Sequence, residues 1–288
     1  MTLPRDAAGA RADVGADDLA RAPLGQRIRH VDRYDAALLY ALSRAPQRAA
    51  LGIAGPLPFA GVDAWTAYEL SWLDAAGKPQ VALASFEVPA QSPSIIESKS
   101  MKLYLGSFAQ TPFAGMTEVA GTIERDLTAA CGVRVGVTLR GPSAFHAQSI
   151  RELQGESLDD LPVGCDAYDV TPEVLAANGD LVDETLTTQL FRSVCPVTAQ
   201  PDIASMQIAY RGPRIDREAL LRYLVSYRCH AGFHEHCVER IFMDVAARCR
   251  TEKLSVFARF TRRGGLDINP FRTNAGIANP DNVRTARQ

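Results

Sequence analysis

The chain has 288 residues, 47% hydrophobic and 22% charged, enough for one large or two modest globular domains. A formal net charge of -2 without a basic tract argues against a broad phosphate-neutralising surface, so the expected partner is a small molecule with no direct nucleic acid. No apolar run is long enough to span a bilayer and the start lacks a signal-peptide core, so a cytoplasmic protein with no membrane partner is expected.

Residues 1–24 are rich in Ala, Asp and Arg and read as a flexible N-terminal arm. A first module is expected over 25–141. Within it, the Gly- and Pro-dense segment 50–63 reads as an irregular connection, with strand signals starting at Ala64. Residues 65–73 and 80–88 flank a turn at Asp74-Ala75-Ala76-Gly77, which predicts a hairpin. After Pro89 a loop carries Ile96-Glu97-Ser98-Lys99-Ser100. Met101, Tyr104, Leu105 and Phe108 then recur at helical spacing, and Val119, Ile123, Leu127 and Ala130 predict a second helix ending near Cys131-Gly132. Val133, Val135, Val137 and Leu139 alternate with polar or small residues as a half-buried strand.

A linker is expected over 142–180, where Pro142, Gly155, Pro162, Gly164 and Pro172 break any period, and a second module over 181–288. It repeats the first. Residues 205–210 predict a strand, Asp216 can cap a helix carrying Leu220, Leu221, Leu224 and Val225, and Val238, Ile241, Phe242 and Val245 lie along another. Leu254, Val256, Ala258 and Phe260 alternate as the closing strand. Ile123, Asp126, Ala129 and Cys131 match Ile241, Asp244, Ala247 and Cys249 at a constant offset, the mark of a tandem duplication. The fold class is therefore α+β, with antiparallel sheets each covered on one face by two helices.

Six cysteines at irregular spacings suit reduced thiols and no disulfides. Cys195, followed by Pro196 and then by Asp202, places a nucleophile and an acid on one connection, a pattern suited to covalent catalysis. The alternative is a small buried hydrophobe and a turn residue. Phe233-His234-Glu235-His236-Cys237 stands where a helix begins, and Glu235 is the kind of group that pairs with the amidine edge of a guanine-like ring. Cys229, His230, His234, His236 and Cys237 also contain enough ligands for zinc, although the spacing matches no closed zinc pattern. Glu97-Ser98-Lys99-Ser100-Met101-Lys102 offers a helix start with free N–H groups, a hydroxyl and lysine, a fair phosphate site. Arg262-Arg263-Gly264-Gly265 could admit a phosphate close to the backbone, or be a charged turn. No Gly-x-Gly-x-x-Gly follows a strand, so a dinucleotide must be held without a Rossmann unit.

Together the segments 96–104, Cys195 with Asp202, Phe233-His234-Glu235 with Cys237-Val238-Glu239-Arg240-Ile241-Phe242, and 262–270 resemble the NADPH-dependent 7-cyano-7-deazaguanine reductases of queuosine biosynthesis, in their long two-module form. The resemblance implies two tandem tunnelling-fold modules, NADPH as cofactor, a role in tRNA modification and a homodimer. By similarity Cys195 would form a covalent thioimide with the nitrile and Asp202 would donate the proton. Ile96, Glu97, Ser98, His234 and Glu235 would hold the deazaguanine, Ser98, Lys99, Arg263 and Gly264 the NADPH, and no metal is expected. A thiol hydrolase acting on nitriles or amides, and a non-catalytic pterin- or zinc-binding module, are the competing readings.

Overall fold

The computed structural model describes residues 31–288, so the arm expected over 1–24 and the first residues of the module expected from 25 lie outside the described residues. The first half contains β1 (Ala41–Ser43), α1 (Ala45–Ala50), β2 (Ala60–Leu73), β3 (Pro79–Pro89), β4 (Ser94–Ile96), α2 (Ser98–Gly106), α3 (Met116–Cys131) and β5 (Gly136–Arg140). After β6 (Glu156–Ser157) come β7 (Ala177–Val194), β8 (Pro201–Ile215), α4 (Arg217–Ser226), α5 (His234–Cys249), β9 (Lys253–Phe260) and β10 (Leu266–Thr273). Each half thus runs strand, strand, helix, helix, strand, as expected for tandem tunnelling-fold modules.

The two sheets are not separate. They join edge to edge in one eight-stranded sheet of order β5-β3-β2-β10-β9-β8-β7-β6, because the final strand of the second half pairs antiparallel with the first long strand of the first half. That pairing explains why β2 starts at Ala60, inside the segment expected to be irregular. Gly61 has φ +145°, and a Cβ there would lie 2.0 Å from the carbonyl oxygen of Phe271 on β10. A residue that reads as a loop signal is what lets the strands meet.

Strand alternation sends Trp65 and Ala67 to the helix-covered face, where they pack with Ile123 and Leu127. Val62 and Ala64 join Phe257 and Phe271 on the other. A register shift between Ala67 and Leu70 keeps Leu70 and Trp72 in the same core, and β7 carries a matching shift between Thr188 and Phe191. The duplicated aspartates do the same job twice. Tyr104 donates its hydroxyl to Asp126 at 2.8 Å, and Tyr223 donates to Asp244 at 2.6 Å, each tying together the two helices of its module. Cys131 and Cys249 are buried at the ends of α3 and α5.

The segment read as a linker, 142–180, contributes structure of its own. Leu158 and Leu175 are buried in the second core, β6 pairs parallel with β7, and the last four residues of the segment are already β7. Its prolines and glycines break periodicity without preventing burial.

The modules meet over a buried ionic cluster. Arg44 and Arg272 flank Asp63 of β2, while Arg48 and Arg272 bind Glu239 of α5 at 2.7 and 2.9 Å. Burial alone would raise the Glu239 carboxyl, but Arg272, Arg48 and Arg44 outweigh it and hold the group down at about 2. Removing one partner leaves charge stranded without solvent, so Arg272→Ala should cost about 3–5 kcal/mol of stability, read by denaturant unfolding. A loss below about 1 kcal/mol would mean that the cluster is not holding the modules together.

Candidate active site

The residues singled out in both halves converge on one cavity at the module junction. Cys195, Asp202, His234 and Glu235 line it together with Ile96 and Ser98, and Arg263 forms part of its rim. Phe233, Thr261, Leu266 and Ile268 complete the wall.

Cys195 is the first residue past β7. Its N–H donates to the carbonyl of Gln200 at 2.8 Å, and the N–H of Ala199, at φ 54°, returns to the Cys195 carbonyl at 3.0 Å. The connection to β8 is therefore a closed loop, and Asp202, 4% exposed, stands within the strand opposite Ser193. Val194 anchors the second cluster. It donates to the His230 carbonyl at 2.9 Å and accepts from Gly232 at 3.1 Å, which brings the start of α5 beside Cys195. His234 then lies flat on Phe260, ring centres 3.7 Å apart, with its Nε2 3.3 Å from Asp202 Oδ1.

Glu235 is 2% exposed, and its carboxylate accepts a hydrogen bond from its own backbone N–H. Burial, and then the nearby negative charge of Asp63, push its carboxyl up to about 7. The ionic cluster thus reaches the cavity floor through Asp63. Burial also pushes the thiols of Cys131 and Cys237 up to about 12, which suits packing better than nucleophilic chemistry.

The helix start at α2 differs from expectation. Glu97 is fully buried and caps the helix itself, accepting from the N–H of Lys99 at 2.7 Å and of Ser100 at 2.8 Å. Those N–H groups are not free for a phosphate, and Glu97 lies behind the cavity wall formed by its neighbours Ile96 and Ser98. Anion attraction here must come from side chains.

Such side chains surround an adjoining cavity. Ser98, Lys99, Lys102, Gln200 and Arg263 line it, and Ser98, Cys195 and Arg263 belong to both spaces. Lys102 was not singled out from the sequence, though its i,i+3 spacing from Lys99 places both on one helical face. Beyond, Lys99 and Lys102 share a wider groove with Gly264 and Gly265. Gly264 has φ +59°, and a Cβ there would fall 2.5 Å from Lys102 Nζ, so the backbone approaches the lysine where a side chain would block it. Three cations, a hydroxyl and an open backbone turn suit a phosphorylated cofactor such as NADPH.

The residues considered for zinc do not gather. Cys237 is buried, Cys229 is exposed, and among the described residues no group of three or more His, Cys, Asp or Glu is placed to hold a metal ion. Among the described residues no helix is long and apolar enough to cross a membrane.

Comparison with known proteins matches this layout. The sequence profile described as "Nitrile reductase, 7-cyano-7-deazaguanine-reductase N-term" covers residues 30–139, and that of the "QueF-like protein" covers 201–278. A protein of Burkholderia thailandensis named NADPH-dependent 7-cyano-7-deazaguanine reductase is 56% identical over 268 residues, covering 92% of this chain and 98% of its own length. One of the same name from Verminephrobacter eiseniae is 57% identical over 274 residues, with the same coverage. With two family profiles in the expected order and relatives matched end to end around one shared cavity, the chain belongs to the 7-cyano-7-deazaguanine reductase family.

Proposed function

We propose that this chain reduces the nitrile of 7-cyano-7-deazaguanine to the aminomethyl group with NADPH, a step of queuosine biosynthesis, through a thioimide on Cys195. The observation that carries the covalent reading is that Cys195, Asp202 and Glu235, from three separate elements, open onto one cavity.

Attack by the Cys195 sulfur on the nitrile carbon forms a C–S bond and moves an electron pair onto nitrogen, which takes a proton from Asp202. Two NADPH molecules, bound in turn, would each supply one hydride, and one further proton would complete the amine. Between them the C–S bond breaks and Cys195 leaves as thiolate. Glu235 orients the ring by accepting two hydrogen bonds from its amidine edge, and Ile96 and Phe233 shield the reacting carbon from water. Ser98, Lys99, Arg263 and Gly264 hold the cofactor's phosphates, with Lys102 added to that set. Glu97 serves substrate binding indirectly, by fixing the turn that presents Ile96 and Ser98.

The enzyme acts in the cytoplasm on the free base, ahead of its use in tRNA modification, and works as a homodimer, since closing the exposed ends of an open sheet requires a second copy.

Intact-mass spectrometry tests the covalent step. Incubation with 7-cyano-7-deazaguanine should add the mass of the substrate, only when Cys195 is present, and NADPH should discharge it with two equivalents oxidised. An adduct that decays in water alone would favour a thiol hydrolase. No adduct on folded protein would remove the covalent reading.

A further inference from the structure

Two residues of β2, Tyr68 and Glu69, stand opposite the single Leu83 of β3, between the pairs Ala67–Ala84 and Leu70–Ala82. A bulge of this kind re-aims side chains. Strict alternation from Ala67 would carry Glu69 into the helix-covered core, but the extra residue sends Leu70 there and leaves Glu69 exposed. Tyr68 ties the bulge to the β9–β10 turn, donating its N–H to the Gly265 carbonyl at 2.9 Å. Gly265 has φ +78°, and a Cβ on it would fall 2.7 Å from Glu69 Oε2, just as one on Gly264 would meet Lys102 Nζ. The two glycines therefore form a turn that touches both a carboxylate and an ammonium.

Both charges line one groove. Glu69, Lys99 and Lys102 share it with Gly264, Gly265 and the apolar Ala67, Leu70, Leu103 and Leu105. Lys99 and Lys102 also line the second cavity, which in turn shares Ser98, Cys195 and Arg263 with the first. The three spaces thus run in series from the nucleophile outward. We propose that the groove holds the adenosine end of NADPH and that Glu69 reads the base by accepting a hydrogen bond from the 6-amino group of adenine. The assignment rests on the reading of the second cavity as the site of the cofactor's phosphates: with the nicotinamide beside Cys195 and phosphate at the lysines, what remains of the molecule is the adenosine. The lining matches it. Leucine side chains take the faces of a flat ring, the lysines take phosphate, and an ionised carboxylate, which only accepts, needs a donor. Phosphate at Glu69 would be repelled. So would a 6-oxopurine, whose carbonyl presents an acceptor where adenine presents a donor, and Glu69 thereby makes the groove selective for adenine among purine dinucleotides.

The test is calorimetric titration of NADP+ and of its hypoxanthine analogue, in which a carbonyl replaces the 6-amino group, into the unaltered protein, Glu69→Ala and Lys102→Ala. The unaltered protein should bind NADP+ roughly tenfold or more tightly than the analogue, the discrimination expected where a hydrogen bond to a charged group is lost. In Glu69→Ala the ratio should fall to within about twofold, because nothing is left to tell donor from acceptor. Taking the ratio removes the effect of net charge, since loss of a carboxylate strengthens binding of both anions alike. Glu69 is exposed, so the variant is expected to keep its fold, and the analogue probes the contact in a protein with no substitution at all. Equal binding of the two ligands by the unaltered protein overturns the proposal, as does a ratio that survives in Glu69→Ala. Lys102→Ala tells two failures apart. If it leaves NADP+ binding unchanged, the cofactor does not occupy the groove and the adenine contact falls with that reading; if it weakens NADP+ while the ratio ignores Glu69, the cofactor reading stands and the adenine contact alone is lost.

Discussion

Replacing Cys195 with alanine is expected to lower nitrile reduction by a factor of roughly 10⁴ or more while leaving NADP+ affinity within about twofold. The size follows from what the thiol contributes. A nitrile is a poor hydride acceptor, and without sulfur addition there is no polarised C=N for a hydride to meet. The selectivity follows from the geometry. The Cys195 backbone is held by the Gln200 carbonyl and the Ala199 N–H, so removal of Sγ leaves the loop, Asp202 and the cationic cavity in place. Steady-state turnover and NADP+ titration on the same preparation measure both halves. Turnover within tenfold of the unaltered protein would show that hydride reaches the free nitrile, and Cys195 would then be a packing residue.

The duplication was legible because it is written in side chains that pack. Asp126 and Asp244, Cys131 and Cys249 keep their spacing since each pair fulfils the same contact in its own module. The strands on either side of Gly61 and within 177–180 were harder to read. Gly61 pairs with Arg272 on β10 and Ala177 with Ile215 on β8, and local composition carries no trace of a distant strand edge. The joining of two sheets into one belongs to the same class of fact.

In the site, identity was legible and connection was not. Cys195, Asp202, His234 and Glu235 could be singled out by residue type and family resemblance, and they do share a cavity. Their mutual restraint by Val194, Phe260 and Arg263 depends on where three strands end. Glu97 shows the limit most plainly. A glutamate just before a helix can point out as a ligand or turn back as a cap, and the sequence Glu-Ser-Lys-Ser is compatible with both. Only the burial of Glu97 and its two backbone partners distinguish the cap.

Substrate affinity should fall about tenfold for each pH unit below about 7, and level off above it, because Glu235 must be ionised to accept two hydrogen bonds. Burial and Asp63 raise this carboxyl in the ligand-free protein, so near neutrality a large share of molecules carry a proton on the group that the ring requires. Two donors on the ring meeting a protonated carboxyl lose one acceptor. Binding therefore expels a proton, and calorimetry in buffers of different ionisation enthalpy will register it. The same raised value works against the fold: the neutral form is favoured in the folded state, so the stability Glu235 contributes is present in acid and is lost as pH rises from the ordinary carboxylate range through about 7. Glu235→Gln separates the two effects. It should weaken binding of 7-cyano-7-deazaguanine by roughly 10²-fold at pH 8 and remove the acid limb, while leaving stability at that pH equal or higher, since a buried charge beside Asp63 has been neutralised. Unchanged affinity in the glutamine variant, or an acid limb that survives it, would assign the ring's amidine edge to another group. A buried carboxylate on the cavity floor that costs the fold stability is one the site retains for its ligand.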